Sequence, residues 1–323
     1  MTNQSTVLVA GGAGYIGSLV NKELNRAGYL TIVYDNLCSG DKSSVIAGKF
    51  IEGDIGDEAA LDQLFSRHSI DAVMHFAAHS DVEESVRNPA KYYRNNVANT
   101  LTLLETQLKY SIKYFVFSSS AAIFGQPRES LISEDHPRFP INPYGESKLM
   151  VEKILHDYEA AYGLRYCSLR YFNAAGGDPE GHIKHVREND WHLIPVILRQ
   201  MKHSHTPITI FGTNYPTRDG TCVRDYVHVS DLADAHIKGL QKLLNEEVSG
   251  VYNLGSARGF TVREVIEAAI KATGLPLSII EGKQRPGDPH TLIANGQKAA
   301  RELGWHPQFS LEDMIKHAGG LVE

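Results

Sequence analysis

Tyr144 and Lys148 stand four residues apart in the segment NPYGESK (142–148). Positions with this spacing lie on one face of a helix, so a phenol and an ammonium group come together. A phenol has a pKa of about 10 and is a poor base at neutral pH, but a neighbouring ammonium group favours its phenolate form. Such a phenolate can take a proton from a substrate hydroxyl while a hydride leaves the same carbon. The same spacing also occurs on ordinary amphipathic helices, so other motifs must support the chemical interpretation.

Three hydroxyl side chains end an apolar run in the segment YFVFSSS (114–120). Serine is a poor strand former and is too small to fill a core, so Ser118, Ser119 and Ser120 need another explanation. Open α/β folds bind ligands at the carboxyl ends of their strands. Hydroxyl groups can donate and accept hydrogen bonds there without carrying charge. The run therefore predicts a polar site at the end of a buried strand.

A glycine-rich turn, GGAGYIG (11–17), follows the first apolar run and precedes a helical pattern. Glycines in this arrangement permit a tight turn and let a pyrophosphate approach the backbone at the N-terminus of the helix. Asp35 ends the next apolar run, eighteen residues after Gly17. Its carboxylate would accept hydrogen bonds from ribose hydroxyls and would repel the additional phosphate of NADP. Strand, turn, helix and acid together predict a binding site for NAD.

Short, almost continuously apolar runs alternate with helical patterns over the first half of the chain. Such runs are typical of strands that are covered on both faces. The predicted strands are 6–12, 30–36, 49–55, 71–78, 114–120 and 166–173. Helical stripes cover 16–27 and 144–162. The alternation predicts an α/β fold with a Rossmann-type, doubly wound parallel sheet.

The pattern changes after Asn173, where a polar, glycine-rich segment (174–190) is typical of a long loop. Shorter elements follow it. They are predicted helices near 192–203, 231–245 and 261–273, and strands at 207–212 and 250–255. We predict a nucleotide-binding domain over residues 1–175, with 226–254 returning to it. Residues 176–323 then form a smaller, mixed α/β domain that binds the substrate.

Composition narrows the classes of function. The 323 residues carry a formal net charge of −6, which does not favour nucleic acid or an anionic membrane as a partner. No apolar stretch is long enough to span a membrane, and the N-terminus lacks the basic region of a signal peptide. Three scattered cysteines indicate a reducing compartment, so we expect a cytoplasmic protein. Histidine pairs at 182/185 and 203/205 lack convergent partners, so no metal site is predicted.

Long motifs give the chain a specific resemblance over nearly its whole length. They include VLVAGGAGYIGS, YDNLCSG, EGDI, HFAA, YYRNNV, FVFSSSAAIFG, NPYGESKLMVE, LRYFNAAG, IFGTNYPTRDGTCVRDYVHVSDLADAH (210–236) and RPGDPHTLIAN (285–295). The chain resembles the UDP-glucose 4-epimerase family of extended short-chain dehydrogenases/reductases. The resemblance implies that tightly bound NAD accepts the C4 hydride of UDP-galactose or UDP-glucose. The resulting 4-keto sugar turns over, and return of the hydride inverts C4.

The resemblance also implies roles for individual residues. The catalytic residues are Ser120, Tyr144 and Lys148. Cofactor contacts are expected at Gly11, Gly14, Tyr15, Ile16, Gly17, Asp35, Asn36, Asp54, Ile55, Phe76, Ala77, Ala78, Asn95, Ser118, Tyr144, Lys148 and Tyr171. Substrate contacts are expected at Ser120, Tyr144, Asn173, His192, Leu193, Thr209, Phe211, Arg224, Tyr226, Arg285 and Asp288. A homodimer is implied as well.

Three alternatives remain open at this point. The enzyme could be a 4-epimerase for UDP-N-acetylhexosamines or UDP-pentoses, because Leu292 is of intermediate size where the family often sets the width of the sugar pocket. A nucleotide-sugar dehydratase or decarboxylase would need an additional acid near the end of the fifth strand, and SAAIF (120–124) contains none. A non-catalytic NAD-binding sensor could lose a catalytic residue, whereas this chain keeps all three. Ser80 stands where some family members carry a lysine that contacts the cofactor, so NAD retention could differ.

Overall fold

The fold is built on a parallel β-sheet with helices on both faces. The structure is a computed structural model that describes residues 4–184, 192–202, 207–285 and 289–319. Its strands are β1 (Thr6–Ala10), β2 (Leu30–Asp35), β3 (Lys49–Glu52), β4 (Ala72–His75), β5 (Tyr114–Ser120), β6 (Leu131–Ile132), β7 (Arg165–Tyr171), β8 (Asn173–Ala175), β9 (Ile208–Phe211), β10 (Val223–His228), β11 (Gly250–Leu254), β12 (Gly259–Thr261), β13 (Ile279–Gly282) and β14 (Thr291–Ala294). Seven strands form the main sheet in the order β11-β7-β5-β4-β1-β2-β3.

The helices alternate with these strands. They are α1 (Tyr15–Arg26), α2 (Glu58–Arg67), α3 (Val82–Arg87), α4 (Pro89–Tyr92), α5 (Asn99–Lys109), α6 (Pro143–Tyr162), α7 (Leu193–Lys202), α8 (Val229–Glu246), α9 (Val262–Thr273), α10 (Gln297–Leu303) and α11 (Leu311–Ala318). One turn of π-helix (Tyr93–Ala98) joins α4 to α5. A short 3₁₀ helix (Ala121–Phe124) directly follows β5. The predicted Rossmann-type fold is therefore confirmed.

The inner strands of the main sheet are largely apolar because both of their faces are covered, whereas β3 at one edge is partly exposed. In β1, Val7 and Val9 belong to the core on one face, and Leu8 and Ala10 belong to the core on the other. All four side chains are completely buried. Alternate strand residues point to opposite faces, so a strand between two layers of helices has no polar face.

Residues far along the chain complete the main sheet. β11 pairs in parallel with β7 from Gly250 opposite Cys167 to Leu254 opposite Tyr171. The helix before it, α8, packs against α1, β5 and β7. These contacts support the proposal that residues 226–254 return to the first domain. The division into units 1–175 and 176–323 stays a prediction.

The second half of the chain forms smaller sheets around a separate core. Strands β12, β10, β14 and β6 are neighbours in that order, β8 pairs with β10, and β9 pairs with β13. An apolar cluster of α7, α9 and α11 residues, with Ile208 and Ile210 of β9, fills the space between these elements. Among the helices of the described ranges, none combines the length and the apolar character that crossing a bilayer requires.

Candidate active site

A cavity of about 350 Å³ opens at the carboxyl ends of the central strands. This is the edge at which parallel α/β sheets bind their ligands. The cavity is lined by nineteen of the residues predicted for the site, namely Gly11, Gly14, Tyr15, Ile16, Gly17, Asp35, Asn36, Ile55, Phe76, Ala77, Ala78, Asn95, Ser118, Ser120, Tyr144, Lys148, Tyr171, Asn173 and His192. The fold thus brings together motifs that lie up to 181 positions apart, from Gly11 to His192.

The glycine turn is shaped by close approaches of the backbone. Gly11 has a φ of 80°, and a Cβ at that position would collide with the backbone of Ala77. A Cβ on Gly17 would collide with the carbonyl oxygen of Gly11. Gly14 caps α1 without a side chain, so no cap from that residue covers the first N–H groups of the helix. A helix start of this kind favours the phosphate groups of a dinucleotide.

Asp35 supports this turn from the end of β2. Its carboxylate is largely buried and accepts hydrogen bonds from the N–H groups of Ala13 (2.9 Å) and Leu37 (2.8 Å). Asp54, two residues after β3, accepts hydrogen bonds from the Asn36 amide (2.6 Å) and the Gly56 N–H (2.7 Å). Asp54 is the one predicted cofactor residue that does not line the cavity.

Helix α6 brings the catalytic pair to the end of β5. Asn142 caps the helix by accepting a hydrogen bond from the Gly145 N–H (2.8 Å), and Pro143 occupies the first turn. A Cβ on Gly145 would lie 2.5 Å from the Ala122 carbonyl oxygen, so glycine permits the helix start to approach the segment after Ser120. Tyr144 in the first turn therefore faces the strand end that carries the serines.

Hydrogen bonds connect the three candidate catalytic side chains to their surroundings. Ser120 Oγ accepts a hydrogen bond from the Ala122 N–H (3.1 Å), which leaves its O–H to bond the Tyr144 phenol. Lys148 Nζ donates to the Ser118 carbonyl oxygen (2.7 Å) and lies 5.9 Å from the centre of the Tyr144 ring. All three side chains thus meet at one end of the cavity.

Burial dominates the protonation of this pair. It raises the pKa of Tyr144, while the hydrogen bond from Ser120 lowers that pKa. Burial also lowers the pKa of Lys148 to about 7, partly opposed by the negative charge of Glu152. A desolvated ammonium group is easier to deprotonate because low-dielectric surroundings disfavour charge. Burial thus brings the pKa of Lys148 close to neutral pH but makes the Tyr144 phenolate harder to form, and the hydrogen bond from Ser120 is the contact that favours that phenolate.

A buried ion pair lies behind the serines. Glu152, one turn after Lys148, accepts hydrogen bonds from Ser119 Oγ (2.6 Å) and from Arg170 Nε (2.9 Å) and Nη2 (2.7 Å). Arg170 is 1% exposed and Glu152 is 4% exposed. Ser119 therefore contributes to the anchoring of α6 on the sheet. The sequence does not reveal this pair, because its members lie 18 residues apart on different elements.

The π-helical turn supplies a second anchor that sequence analysis did not identify. Asn95 lines the cavity, whereas the next side chain, Asn96, is buried. The Asn96 side chain accepts a hydrogen bond from the His79 N–H (2.9 Å) and donates to the His79 carbonyl (3.0 Å) and to Ser147 Oγ (3.1 Å). It thereby ties the loop after β4 to α6. Single π-turns of this kind are common at functional sites.

The remaining lining residues extend the predicted segments by a few positions. They are Tyr34, Cys38, Ser39, Gly53, His79, Ser80, Val82, Ala121, Ala122, Phe172, Ala174 and Leu292. Most of them flank strand ends that the motifs had already marked. Leu292 is the exception, because β14 reaches the cavity from the second half of the chain.

The predicted substrate residues are distributed more widely. Asn173 lines the cavity and donates to the Asp225 carbonyl oxygen (2.9 Å), and His192 lies at its edge. Leu193, Thr209, Phe211, Arg224, Tyr226 and Arg285 lie outside the cavity lining. Asp288 lies outside the described residues.

Several of these outer groups have defined contacts. The Arg285 guanidinium lies 3.9 Å from the centre of the Phe211 ring. Arg224 Nη1 donates to the Pro289 carbonyl oxygen (2.7 Å), and Tyr226 is buried in the core of the second half.

The structure describes no grouping of three or more His, Cys, Asp or Glu side chains that could hold a metal ion. His182 lies beside Glu180, and His185, His203 and His205 are outside the described residues.

Comparison with known proteins agrees with this geometry. Residues 7–255 match the family described as "NAD dependent epimerase/dehydratase family". The UDP-glucose 4-epimerase of Halalkalibacterium halodurans is 48% identical over 313 residues, which cover 97% of this chain and 94% of that protein. The crystal structure of UDP-glucose 4-epimerase from Brucella ovis in complex with NAD superposes with a TM-score of 0.94 at 42% identity, covering 98% of this chain and 97% of that one.

A third relative was solved with two nucleotides bound. The UDP-glucose 4-epimerase from Bifidobacterium longum, in complex with NAD+ and UDP, superposes with a TM-score of 0.91 at 37% identity over 98% of this chain and 97% of that one. Both the family match and the full-length similarity to these enzymes include the glycine turn and the Tyr144–Lys148 pair. The chain therefore belongs to the NAD-dependent epimerase/dehydratase family and, within it, to the UDP-glucose 4-epimerases.

Proposed function

We propose that this protein interconverts UDP-galactose and UDP-glucose with NAD held in the cavity. The observation that carries the proposal is the meeting of Ser120, Tyr144 and Lys148 at one end of a cavity that begins at the glycine turn and Asp35. Relatives of known name share nearly the full length of the chain, and the two solved relatives described above are both in complex with NAD.

The cavity fits a dinucleotide on the evidence of its own residues. Glycines occupy the positions at which a side chain would obstruct the turn, and the start of α1 is open to phosphate. In this proposal the turn holds the pyrophosphate, Asp35 and Asn36 hold the adenosine ribose, and Ile55 lies against the adenine. Phe76, Ala77 and Ala78 lie along the cofactor, Asn95 lies near its phosphates, and Tyr171 lies at the nicotinamide end. When bound, NAD supplies the acceptor of the C4 hydride and its donor on return.

Tyr144 then performs the proton transfer. Its oxygen takes the proton of the sugar 4-hydroxyl as C4 is oxidised and returns it as C4 is reduced. Ser120 bonds the same sugar oxygen and the Tyr144 phenol, which keeps the proton path short. Lys148 shares a helix face with Tyr144, and in its protonated form its positive charge favours the phenolate. Neither half of the reaction requires a metal ion or a covalent link to the sugar.

The segment after Ser120 supports inversion rather than elimination. Ala121 and Ala122 line the cavity where a dehydratase needs an additional acid. Without that acid the 4-keto sugar has no group that would remove its C5 proton. The sugar therefore leaves the site with the same atoms that it brought.

The second half of the chain holds the uridine diphosphate in this proposal. His192, Leu193, Thr209 and Phe211 frame the uracil and its ribose. The guanidinium groups of Arg224 and Arg285 suit phosphate oxygens, to which they donate in pairs. Tyr226, Asn173 and Asp288 complete the predicted set.

We further propose that the protein acts in the cytoplasm as a homodimer, through helices of the first domain. Scattered cysteines fit a reducing compartment. Sedimentation of the purified protein with NAD tests the dimer.

The experiment that tests the activity follows UDP-galactose by proton NMR after addition of the purified protein. UDP-glucose should accumulate to a fixed ratio, and that ratio should be the same when the reaction starts from UDP-glucose. Tyr144→Phe should lower the rate by about 100-fold or more, the range expected for loss of a general acid–base group.

Tyr158→Phe is the matched control, because Tyr158 lies on the same helix, is half-buried and contacts Tyr162 rather than the cavity. It should turn over at nearly the wild-type rate. A protein that binds NAD but leaves UDP-galactose unchanged would refute the proposed function. Equal rates for the two variants would refute the role of Tyr144.

A further inference from the structure

Four tyrosines line the cavity, and a phenol that can donate a proton could interfere with the reaction. They are Tyr15, Tyr34, Tyr144 and Tyr171. The Tyr15 hydroxyl donates to the Gly176 carbonyl oxygen (2.7 Å), and the Tyr34 hydroxyl donates to the Asp54 carbonyl oxygen (3.1 Å). Both protons are therefore directed into the protein.

Tyr171 is the tyrosine that lies beside Tyr144, and its hydroxyl lies 2.6 Å from His236 Nε2. The direction of that hydrogen bond follows from the other side of the imidazole ring. His236 Nδ1 lies 2.7 Å from the Leu232 carbonyl oxygen, which can only accept. Nδ1 must therefore carry the proton, and Nε2 of the neutral ring must accept from the Tyr171 O–H. The tautomer of His236 thus assigns the direction of both hydrogen bonds of its ring.

His236 is held in this orientation by its surroundings. It is completely buried on α8, and the ring of Phe76 packs against it with centroids 4.8 Å apart. Burial lowers the pKa of His236 to about 4, so the ring is neutral at physiological pH. The mechanism proposed above makes no use of this buried imidazole.

The opposite side of the Tyr171 oxygen faces the serines. The Ser118 hydroxyl bonds that oxygen, and the Ser118 carbonyl accepts from Lys148 Nζ (2.7 Å). Because the Tyr171 proton is directed to His236, Ser118 must be the donor in its bond with Tyr171. The Tyr171 oxygen thus accepts on its cavity side and does not donate.

We infer that His236 is a positioning residue that draws the Tyr171 proton away from the cavity and leaves Tyr144 as the phenol that exchanges protons with the sugar. This inference rests on the proposed function for its kinetic consequence. Without His236, the Tyr171 O–H turns toward Ser118 and the substrate, where it competes with Tyr144 for the same oxygen.

The tautomer is tested directly on the holoenzyme by ¹⁵N NMR of histidine-labelled protein, with His236→Phe identifying the signal. The expected ring has a protonated Nδ1 and an unprotonated Nε2, and Tyr171→Phe shifts the Nε2 resonance further toward that of a free lone pair. A ring protonated at Nε2 would overturn the inference. This readout does not depend on catalysis.

The kinetic test uses the same variants in a double-mutant cycle with UDP-galactose. His236→Phe should lower kcat about tenfold, the factor that one hydrogen bond supplies, with KM changed less than about twofold. In the Tyr171→Phe background the same substitution should change kcat by less than about twofold, because no hydroxyl remains to be redirected. Equal effects in the two backgrounds would overturn the inference.

Leu243→Ala provides the control for a purely structural effect. Leu243 is completely buried two turns further along α8, so its truncation destabilises the same helix without removing the hydrogen bond to Tyr171. At a matched loss in Tm, it should leave kcat within about twofold of wild type. A tenfold fall in Leu243→Ala would overturn the positioning role. If wild-type protein binds NAD but does not convert UDP-galactose, the proposed function fails, and the tautomer still decides the assignment of His236.

Discussion

Removal of Glu152 should reveal how strongly α6 is anchored to the sheet. In Glu152→Ala, the guanidinium of Arg170 loses two short hydrogen bonds while it stays 1% exposed, and Ser119 loses its acceptor. Among the described residues, Arg170 keeps a hydrogen bond to the Glu134 carbonyl oxygen (3.0 Å) and its contact with the Phe124 ring, neither of which carries a negative charge. Breaking a buried ion pair on one side costs about 3–5 kcal/mol, because an uncompensated charge is left in the interior. We expect a loss of that size in the free energy of unfolding.

The chain contains a matched control for this prediction. Glu159 also lies on α6 and pairs with an arginine at β7, Arg165, at 3.2 Å, and it also accepts from a serine hydroxyl, that of Ser249. The two side chains of this pair are 29% and 35% exposed. Exposed pairs contribute about 1 kcal/mol or less, since water already solvates both charges. Glu159→Ala should therefore cost far less than Glu152→Ala.

Urea unfolding, monitored by circular dichroism at pH 7 in the presence of NAD, measures both losses. A second arm replaces both partners, Glu152→Leu with Arg170→Met, which removes both charges from the interior. The double variant should recover most of the loss, since apolar replacements of a buried pair are often neutral or better. Equal losses for Glu152→Ala and Glu159→Ala, or a loss in the double variant as large as that in Glu152→Ala, would refute the account of a buried charge.

Three further predictions concern the cofactor turn, the sugar pocket and the effect of pH. Gly14→Ala should keep the fold but lose bound NAD, because the new Cβ would meet only the Gly11 oxygen, at 3.3 Å, and would otherwise enter the cavity. Gly17→Ala should lose NAD and also lower Tm, because its Cβ would collide with the Gly11 oxygen. Measurements of NAD content and Tm check both variants, and full NAD content in Gly14→Ala would contradict the prediction. Leu292→Tyr should retain activity on UDP-galactose and lose any activity on UDP-N-acetylgalactosamine, because Leu292 lines the cavity and a larger ring leaves less room for the acetamido group. Rates measured in parallel on the two substrates test this. An equal loss of rate on both substrates would argue against a role of Leu292 in the sugar pocket. Burial lowers the pKa of His228 to about 3, whereas the unfolded chain binds this proton near pH 6.5, so the free energy of unfolding should fall as the pH drops from 6.5 toward 3. Urea unfolding at pH 7, 6 and 5 should show a shallower fall for His228→Gln than for wild type, by up to about 1.4 kcal/mol per pH unit. An unchanged slope would exclude His228 as the titrating group.

Local features of this site could be predicted from the sequence because neighbouring residues encode them. The glycine turn, the start of α1 without a side-chain cap, and Asp35 all lie within one strand–helix–strand unit. The four-residue spacing of Tyr144 and Lys148 requires only that α6 forms. Strands of the main sheet could be located for a similar reason. Its inner strands are buried on both faces over most of their length, and a largely apolar run marks them without knowledge of the partner strand.

Short or half-exposed elements could not be located in that way. The two-residue strand β6 and the exposed strand β13 carry too few apolar positions for a period to be recognised. The π-helical turn at Tyr93–Ala98 has no distinct sequence pattern, although it directs Asn95 to the cavity and Asn96 into the interior.

The sequence by itself determined the chemistry that this protein offers: a dinucleotide turn, an acid, a phenol beside a lysine, and a strand that ends in hydroxyls. Only the tertiary structure decided which buried side chains hydrogen-bond to these groups and hold the elements that carry them. Glu152 meets Arg170 across α6 and β7, and His236 reaches Tyr171 from 65 residues further along the chain. Backbone hydrogen bonds and apolar periodicity depend on nearby residues, so a single segment reveals them. The direction of a buried proton depends on every group that surrounds it, and those groups come together only when α8 and β11 pack against the sheet.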